Sequence, residues 1–209
     1  MKPVHLLFLL VATLMARGAE YSCTLSGTKG EPVPDAVVSL VPLDAPVPPP
    51  AAEAHAEIVQ KDQEFSPYVT VVQTGTTVVF PNRDTVQHHV YSLSKPKKFE
   101  LPLYNPGKAE SIVFDTPGLV TIGCNIHDWM ISHLVVVPTP WFAKSDAAGA
   151  VKITAPAGRY RLEIWHPRGA LAARELTLAD STATKETAVL PLKPDRRVRR
   201  TVGAKSSGY

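Results

Sequence analysis

Proline is the feature that most constrains the fold of this chain, because 20 of its 209 residues are proline and 12 are glycine. Proline cannot donate a backbone hydrogen bond, and inside a helix its ring clashes with the preceding turn. A bundle of long helices is therefore excluded. Hydrophobic residues make up 44% and charged residues 20% of the chain, which is typical of a protein that buries a core. The length allows one or two domains.

The first 18 residues have the pattern of a secretory signal peptide. Lys2 gives a positive start, an apolar stretch follows over residues 4–12, and Ala16 and Gly18 are small residues before a cut after Gly18. We therefore predict that residues 1–18 are removed and that the mature protein is periplasmic. A lone membrane anchor is the alternative, but the apolar stretch is short for a spanning helix, which needs about 18 residues. Stable membrane insertion is not expected.

Positive charge is concentrated near the C-terminal end of the chain. Between Ala19 and Pro194 there are 15 basic and 18 acidic side chains, whereas the last 15 residues hold five basic ones. The basic balance of the whole chain therefore belongs to a tail and not to a nucleic-acid-binding face. We expect no nucleic-acid partner, and we predict that residues 193–209 form a disordered basic tail.

Short β-branched and apolar runs, separated by turn residues, predict β-strands throughout the rest of the chain. These runs are residues 21–26, 36–43, 57–60, 68–72, 76–80, 89–93, 109–114, 119–122, 134–137, 150–154, 159–165, 174–178 and 187–192. Such regular punctuation is typical of a sandwich or barrel, so the predicted fold class is all-β. A proline-rich connector at residues 42–50 interrupts the pattern.

Cysteine, histidine and methionine recur at three-residue spacing in one segment. Cys124, His127 and Met130 place a thiolate, an imidazole and a thioether on a predicted loop between two strands. Soft sulfur with imidazole suits copper, and two histidines, one cysteine and a weak axial methionine form a blue-copper site. A second histidine must come from elsewhere, and His88 and His89 supply it about 36 residues upstream. Neighbouring side chains of a strand point to opposite faces, so only one of the two reaches the metal.

These two segments resemble the cupredoxin family, most of all amicyanin and plastocyanin, over about residues 55–138. In that family the first ligand follows an Asn-Arg-acidic start, which begins at Asn82 in this chain. The resemblance implies a cupredoxin Greek-key β-sandwich that holds one type 1 copper ion. The copper ligands that it implies are His88, Cys124, His127 and Met130.

One position departs from the family pattern. The family usually has asparagine directly after the first histidine ligand, and this chain has His89. Either His89 substitutes as a hydrogen-bond donor behind the ligand, or His89 is the ligand and His88 the neighbour; His88 is the preferred ligand. Around them, the backbone carbonyl of Gln87 offers a weak axial contact, and Asn82 starts the ligand segment. Trp129 would pack over the site and exclude water.

The remaining histidines and a group of lysines are predicted to be structural, solvated or part of a docking surface. Zinc is the main competitor for the cysteine and histidine ligands. Histidines outside the leader and the ligand segments are expected to be structural or solvated: His55, His133 and His166. Four lysines form a basic strip that would dock an acidic partner, or else a solvated loop: Lys95, Lys97, Lys98 and Lys108.

The segments on either side of the copper block resemble carboxypeptidase regulatory-like sandwich domains, on the motifs at residues 30–40, 146–151 and 156–162. We predict that they build a second, transthyretin-like β-sandwich. Residues 19–50 are predicted to form the first half of this second sandwich, with its proline-rich linker. Residues 51–138 are predicted to form the cupredoxin domain, and residues 139–192 the second half of the second sandwich. The composite resembles periplasmic proteins commonly labelled methylamine utilisation proteins.

The resemblance implies a one-electron carrier that passes electrons through the exposed edge of His127 to a redox partner protein in the periplasm. The alternative is a copper-binding or copper-handling module that docks a partner without carrying electrons. Met-rich or His-rich tracts would favour that alternative, and the chain has only 3 methionines. Multicopper enzymes need further copper sites built from many histidines, and this chain has 7. We therefore expect that it is not an enzyme.

Overall fold

The computed structural model describes residues 18–195 and residue 197, and its fold is all-β, as predicted. These described residues contain no helix. Consequently the described part of the chain has no helix that is long and apolar enough to cross a membrane. Apart from Gly18, the predicted signal peptide lies outside the described residues, and so do residue 196 and residues 198–209 of the predicted tail.

Eighteen strands follow one another along the described chain. They are β1 (Ala19–Ser26), β2 (Val37–Pro42), β3 (His55–Glu57), β4 (Val59–Lys61), β5 (Glu64–Ser66), β6 (Val69–Gln73), β7 (Thr76–Pro81), β8 (His88–Ser92), β9 (Phe99–Tyr104), β10 (Ala109–Phe114), β11 (Gly118–Cys124), β12 (His127–Val137), β13 (Phe142–Lys144), β14 (Ala150–Ala155), β15 (Gly158–His166), β16 (Gly169–Ala170), β17 (Arg174–Leu178) and β18 (Ala183–Val189). Two of them, β10 and β17, have the bounds of the predicted runs.

The middle of the chain forms one sandwich, which we call the central sandwich (β3–β12). One of its two main sheets has the strand order β10-β7-β3, and the other has the order β6-β12-β11-β8-β9; β4 and β5 form a separate two-stranded sheet. Strand β7 shows how the sequence builds it, since Val78 and Phe80 are buried and alternate with half-buried residues. This alternation gives each sheet one apolar inner face, and the two inner faces share a single core.

The two ends of the described chain form a second sandwich, which we call the flanking sandwich (β1, β2 and β13–β18). Its sheets have the orders β14-β1-β18 and β13-β2-β15-β16, with β17 paired to β15. The inward residues Tyr21, Cys23 and Leu25 alternate along β1 and enter a core of their own. The first strand therefore pairs with strands more than 120 residues later, antiparallel to β14 and parallel to β18.

The two sandwiches meet along a seam of apolar side chains. Successive residues of β12 point to opposite sides, so Leu134 belongs to the core of the central sandwich while Val135 and Val137 belong to the seam. From the flanking sandwich, Val37 and Phe142 pack against this second face. Burial on both faces explains why β12 ends in a continuous apolar run and not in an alternating one.

His133 of β12 lies at the seam among aromatic rings. Its ring centroid is 5.2 Å from that of Tyr68 and 5.8 Å from that of Trp165. Burial, together with the nearby charges of His166 and Arg197, lowers the pKa of His133 to about 4. His133 is therefore neutral in the folded protein at neutral pH, as the expectation of a structural histidine requires.

We predict that this histidine makes the protein lose stability as the pH falls from 6.5 towards 4. The unfolded chain binds a proton near pH 6.5 and the folded protein does so only near pH 4, so acid favours unfolding in this window, by about 2 kcal/mol at pH 5. The measurement is urea unfolding at pH 7.5 and pH 5. His133→Phe keeps a ring in the seam and should reduce the loss, whereas the same change at exposed His55 should not; equal losses in both variants would contradict the prediction.

Candidate metal centre

The Cys-x-x-His-x-x-Met segment is a β-hairpin and not the loop that the sequence predicted. Cys124 is the last residue of β11, His127 is the first of β12, and only a two-residue turn separates them. Cys124 lies opposite His127, but the preceding Gly123 lies opposite Ile131, so three residues of β12 bulge out of the ladder. In a regular strand His127 and Met130 would face opposite sides. The bulge interrupts the regular alternation, so His127 and Met130 need not face opposite sides.

Three of the predicted ligands converge. His88, the first residue of β8, is fully buried, and its Nδ1 lies 3.8 Å from the Sγ of Cys124. The Nδ1 of His127 lies 3.5 Å from the same Sγ, and the two imidazole centroids are 5.0 Å apart. One ligand atom from each of the three residues fits within 4.8 Å of the others. The structure thus brings together one sulfur and two nitrogen donors from two distant parts of the sequence.

These distances suit a single metal ion. With bonds of about 2.3 Å to sulfur and 2.0 Å to nitrogen, the sulfur and nitrogen ligands of a trigonal site would lie about 3.7 Å apart. The observed separations of 3.8 and 3.5 Å between sulfur and nitrogen are close to that value. The donor set of one thiolate and two imidazoles is the one that copper shares with zinc, and a weak axial methionine distinguishes the blue-copper form.

Asp84 fixes the orientation of the buried histidine, and sequence analysis did not single it out. Its Oδ2 lies 3.0 Å from the Nε2 of His88 and accepts the backbone N–H of Gln63 at 2.6 Å. Its Oδ1 accepts the backbone N–H of Thr85 at 2.8 Å. A proton on the Nε2 of His88 leaves its Nδ1, the atom beside the cysteine, free to bind a metal. The only local signal was a carboxylate four residues before a histidine.

The pKa values of Asp84 and His88 shift in opposite directions, partly because the two groups face each other. Burial raises the pKa of Asp84, but the backbone N–H groups of Gln63 and Thr85 and the ring of His88 lower it more, so its pKa lies below the usual range. For His88 the effect of burial has the opposite sign and lowers the pKa. Hydrogen bonds and charge interactions with Cys124 and Asp84 outweigh it, so the pKa of His88 is raised overall. A carboxylate behind the imidazole makes the histidine a better donor.

The surroundings of the Cys124 thiol lower its pKa and so favour the thiolate form. Burial raises its pKa, but hydrogen bonds from His88 and from the backbone N–H groups of His89 and Ile126 outweigh that effect and lower the pKa. The thiolate is the form that binds metals. The carbonyl of His89 also accepts the N–H of Asn125 at 3.1 Å, so the backbone of His89 connects the two ligand segments.

His89 itself points away from the three donors. Its Nε2 lies 2.9 Å from Oε1 of Glu100, but without the alignment of a hydrogen bond. It lies at the register shift between β8 and β9, between His88, which is opposite Tyr104, and Val90, which is opposite Leu101. Of the two alternatives for the first ligand, the structure therefore gathers His88 with the cysteine and leaves His89 outside the cluster.

The other expected neighbours have different positions. Asn82 is buried and shapes the ligand loop, because its side chain donates to the carbonyl of Val86 at 2.9 Å and accepts the N–H of Asp84 at 3.0 Å. Trp129 packs beside His127 with ring centroids 5.3 Å apart, and its Nε1 donates to the carbonyl of Gln63.

Gln87 and Met130 are the two residues expected to make axial contacts. Gln87 is exposed, and its side chain donates to Asn105 at 2.7 Å; the axial contact of its carbonyl stays a prediction. Met130 is 2% exposed and belongs to the same core as Cys124. Burial in that core is compatible with an axial thioether, and the ligand role of Met130 stays a prediction.

The four lysines do not form one strip. Lys95, Lys97 and Lys98 lie in the turn between β8 and β9, beyond the pair formed by Ser92 and Phe99. Lys108 follows the opposite end of this hairpin, and its carbonyl accepts the N–H of Asn82. The length of the hairpin separates them, so the sequence-based docking strip is not a continuous surface.

Asp84→Asn is predicted to weaken copper binding about 10- to 100-fold, because loss of such a carboxylate behind a ligating histidine has that effect in metal sites. Asparagine can still accept the backbone N–H of Thr85, so the loop should keep its shape. Competition titration with a copper chelator measures the affinity. Asp115→Asn, at an exposed carboxylate that contacts Lys97, is the control and should bind copper as the unmodified protein does. Equal affinities for the two variants would contradict the prediction.

No protein-family model and no curated protein matches the chain. The chain is similar to several solved structures. One similar structure is a novel purple cupredoxin from Nitrosopumilus maritimus, 26% identical, with a TM-score of 0.36, covering 39% of this chain and 99% of that one. A reduced mutant of amicyanin is 21% identical, with a TM-score of 0.38, covering 48% of this chain and 98% of that one.

A third similar structure corrects one expectation. It is a copper-containing nitrite reductase from Thermus scotoductus SA-01, 25% identical, with a TM-score of 0.39, covering 47% of this chain and 25% of that one. The expectation that the chain is not an enzyme is therefore wrong as a conclusion from resemblance, because the similar structures include an enzyme as well as cupredoxins. The interpretation of the site rests on the geometry of His88, Cys124 and His127.

Proposed function

We propose that this protein binds one copper ion in a type 1 site and passes single electrons through it. The convergence of the Sγ of Cys124 with the Nδ1 atoms of His88 and His127 carries this proposal. Met130, buried in the same core, is the proposed axial ligand. The copper supplies the change between Cu(I) and Cu(II), and soft sulfur with imidazole donors suits both states.

The residues around the site would limit the structural rearrangement that accompanies the change between Cu(I) and Cu(II). His88 is fully buried and held by Asp84, and Cys124 is held by two backbone N–H groups. Ligands fixed by hydrogen bonds and by a close-packed core need little rearrangement when the charge of the site changes. His127 is only half-buried and follows Ile126, which is 48% exposed. Its ring edge is thus the proposed point of electron exit.

Visible absorption and EPR after addition of Cu(II) to the purified protein test this function. A type 1 site gives an intense blue or purple thiolate-to-copper band and narrow hyperfine splitting. The neighbouring histidines provide a matched pair: His88→Ala should lose the band and His89→Ala should keep it. Metal binding without such a band, as with zinc or with a Cu(I)-only site, would contradict the carrier function and support copper handling or a structural role.

We also propose that the protein is exported to the periplasm and works there with a redox partner protein. The leader pattern of residues 1–18 supports export, and the first strand starts at Ala19, directly after the proposed cut. Mass spectrometry of the protein from a periplasmic fraction would test this, because the mature chain should begin at Ala19. Recovery of the full-length chain in the cytoplasmic fraction alone would contradict it.

A further inference from the structure

A basic cleft lies where the flanking sandwich overhangs the central sandwich. It has a volume of about 560 Å³. The lining residues that matter here are Tyr68, Ile131, Arg168, Lys193, Asp195 and Arg197. They come from the central sandwich, from the turn between β15 and β16, and from the segment after β18 that sequence analysis assigned to a disordered tail.

The cationic walls of this cleft are fixed by hydrogen bonds. The N–H of Lys193 donates to the carbonyl of Arg168 at 2.8 Å, and the Nε of Arg168 donates to the carbonyl of Lys193 at 2.6 Å. The guanidinium of Arg197 lies 4.0 Å above the ring of Tyr68, which is a favourable cation–π distance. The start of the basic segment is thus attached to both sandwiches.

Positive charge exceeds negative charge in the cleft. Arg197 pairs with Asp195 at 2.6 Å, and among the described residues the lining holds two more basic ones, Arg168 and Lys193, but no other acidic one. Arg168 and Lys193 form no ion pair with any residue that the structure describes. The sequence continues with further basic residues, among them Arg199 and Arg200. This contrasts with the body of the chain, where acidic side chains outnumber basic ones.

The cleft borders the candidate metal centre. Ile131, which is 38% exposed, lines both the cleft and a second groove that is lined also by Gly123, Cys124 and Met130. A partner bound in the cleft would therefore contact strand β12, which carries the proposed ligands His127 and Met130. This approach is separate from the edge of His127.

We propose that this cleft docks an acidic segment of a partner protein beside the copper site. The proposal rests on the proposed function for the role of the partner, but the docking itself depends only on charge and shape. The concave surface with the apolar floor of Tyr68 and Ile131 and the cationic walls of Arg168 and Lys193 is complementary to a projecting acidic side-chain cluster. Docking there would leave a short path from the partner to Met130 and Cys124.

The first test uses the mature chain without metal and a fluorescein-labelled hexaglutamate peptide, with binding followed by fluorescence anisotropy. Arg168→Glu combined with Lys193→Glu should weaken binding about tenfold or more, and added salt should weaken binding to the unmodified protein. The control combines Lys29→Glu with Lys185→Glu, two exposed lysines of the flanking sandwich, and changes the net charge equally. Equal binding by the two variants, or no binding by the unmodified protein, would overturn the proposal.

A lipid surface is the competing source of negative charge. Binding to vesicles of anionic phosphatidylserine without binding to the peptide would overturn docking of an acidic protein segment. Because the peptide test needs no copper, its success together with a colourless Cu(II) protein would reject the electron carrier and keep the docking site.

A second test uses the copper-loaded protein and two one-electron oxidants. Each takes one electron from Cu(I), giving Cu(II) and the reduced reagent. The cleft variant should slow oxidation by the anion hexacyanoferrate(III) relative to the control variant, and should not slow oxidation by the cation tris(phenanthroline)cobalt(III). Equal slowing of both reagents would indicate damage to the site and would overturn a role of the cleft in approach to it.

Discussion

Cys124→Ser is expected to abolish the blue thiolate-to-copper absorption completely. This band requires a copper–sulfur bond, and Cys124 supplies the sulfur that lies between the two imidazoles. A serine hydroxyl is a hard donor with a far higher pKa than a thiol, so it does not replace the thiolate. Because the side chain is 4% exposed and similar in size to serine, the fold should survive the exchange. Absorption and EPR after addition of Cu(II) measure the loss.

The second cysteine is a natural control for this experiment. Cys23 is 2% exposed and lies in β1 of the flanking sandwich, where it belongs to a different core. Cys23→Ser should cost about 1 kcal/mol of stability, because it buries a hydroxyl, and should keep the blue band at full intensity. A band that disappears with Cys23→Ser and survives Cys124→Ser would overturn the proposed ligand set.

The proposed ligand set could be formulated from the sequence because most of it is local. Cys124, His127 and Met130 lie within seven residues, and their chemistry alone points to a soft metal. Alternation of side chains along a strand allows only one of His88 and His89 to face the site, and the resemblance favours His88. The structure buries His88 completely and turns His89 towards Glu100.

The groups that orient the ligands could not be predicted in this way. Asp84 is fixed by a backbone N–H of Gln63, which is 21 residues away and belongs to a different turn. The backbone N–H groups that reach the sulfur of Cys124 depend on the register between two strands. Such contacts are set by tertiary packing, and residue type and spacing carry no signal for them.

The fold was predicted well wherever β-branched residues dominate, and less well elsewhere. Strand β9 contains Pro102 and was not predicted, yet it forms because it is an edge strand that pairs only with β8. The early start of β12 was also missed, since the sequence from His127 to Met130 resembles a loop and the bulge opposite Gly123 is a property of the pairing.

Gly149→Ala is expected to destabilise the protein by about 3 kcal/mol or more. Gly149 has φ +77°, where a side chain is strained, and an added Cβ would lie 2.2 Å from the carbonyl oxygen of Leu25 and 3.1 Å from the N of Val33. Both neighbours are backbone atoms, so they cannot move aside as a flexible side chain would. Strain of about 1–2 kcal/mol then adds to an overpacking cost of about 1–3 kcal/mol.

Gly30→Ala separates these two costs. Gly30 belongs to the same sandwich and has φ +81°, but nothing lies within 4 Å of its added Cβ. It should lose only the strain energy, about 1–2 kcal/mol, and urea unfolding followed by tryptophan fluorescence measures both variants. Equal losses would mean that the backbone of Leu25 yields to the new methyl group, and that the close approach between β1 and the turn before β14 is not needed for stability. A larger loss for Gly149→Ala is the expected result, because this approach closes the flanking sandwich around the core that Leu25 enters.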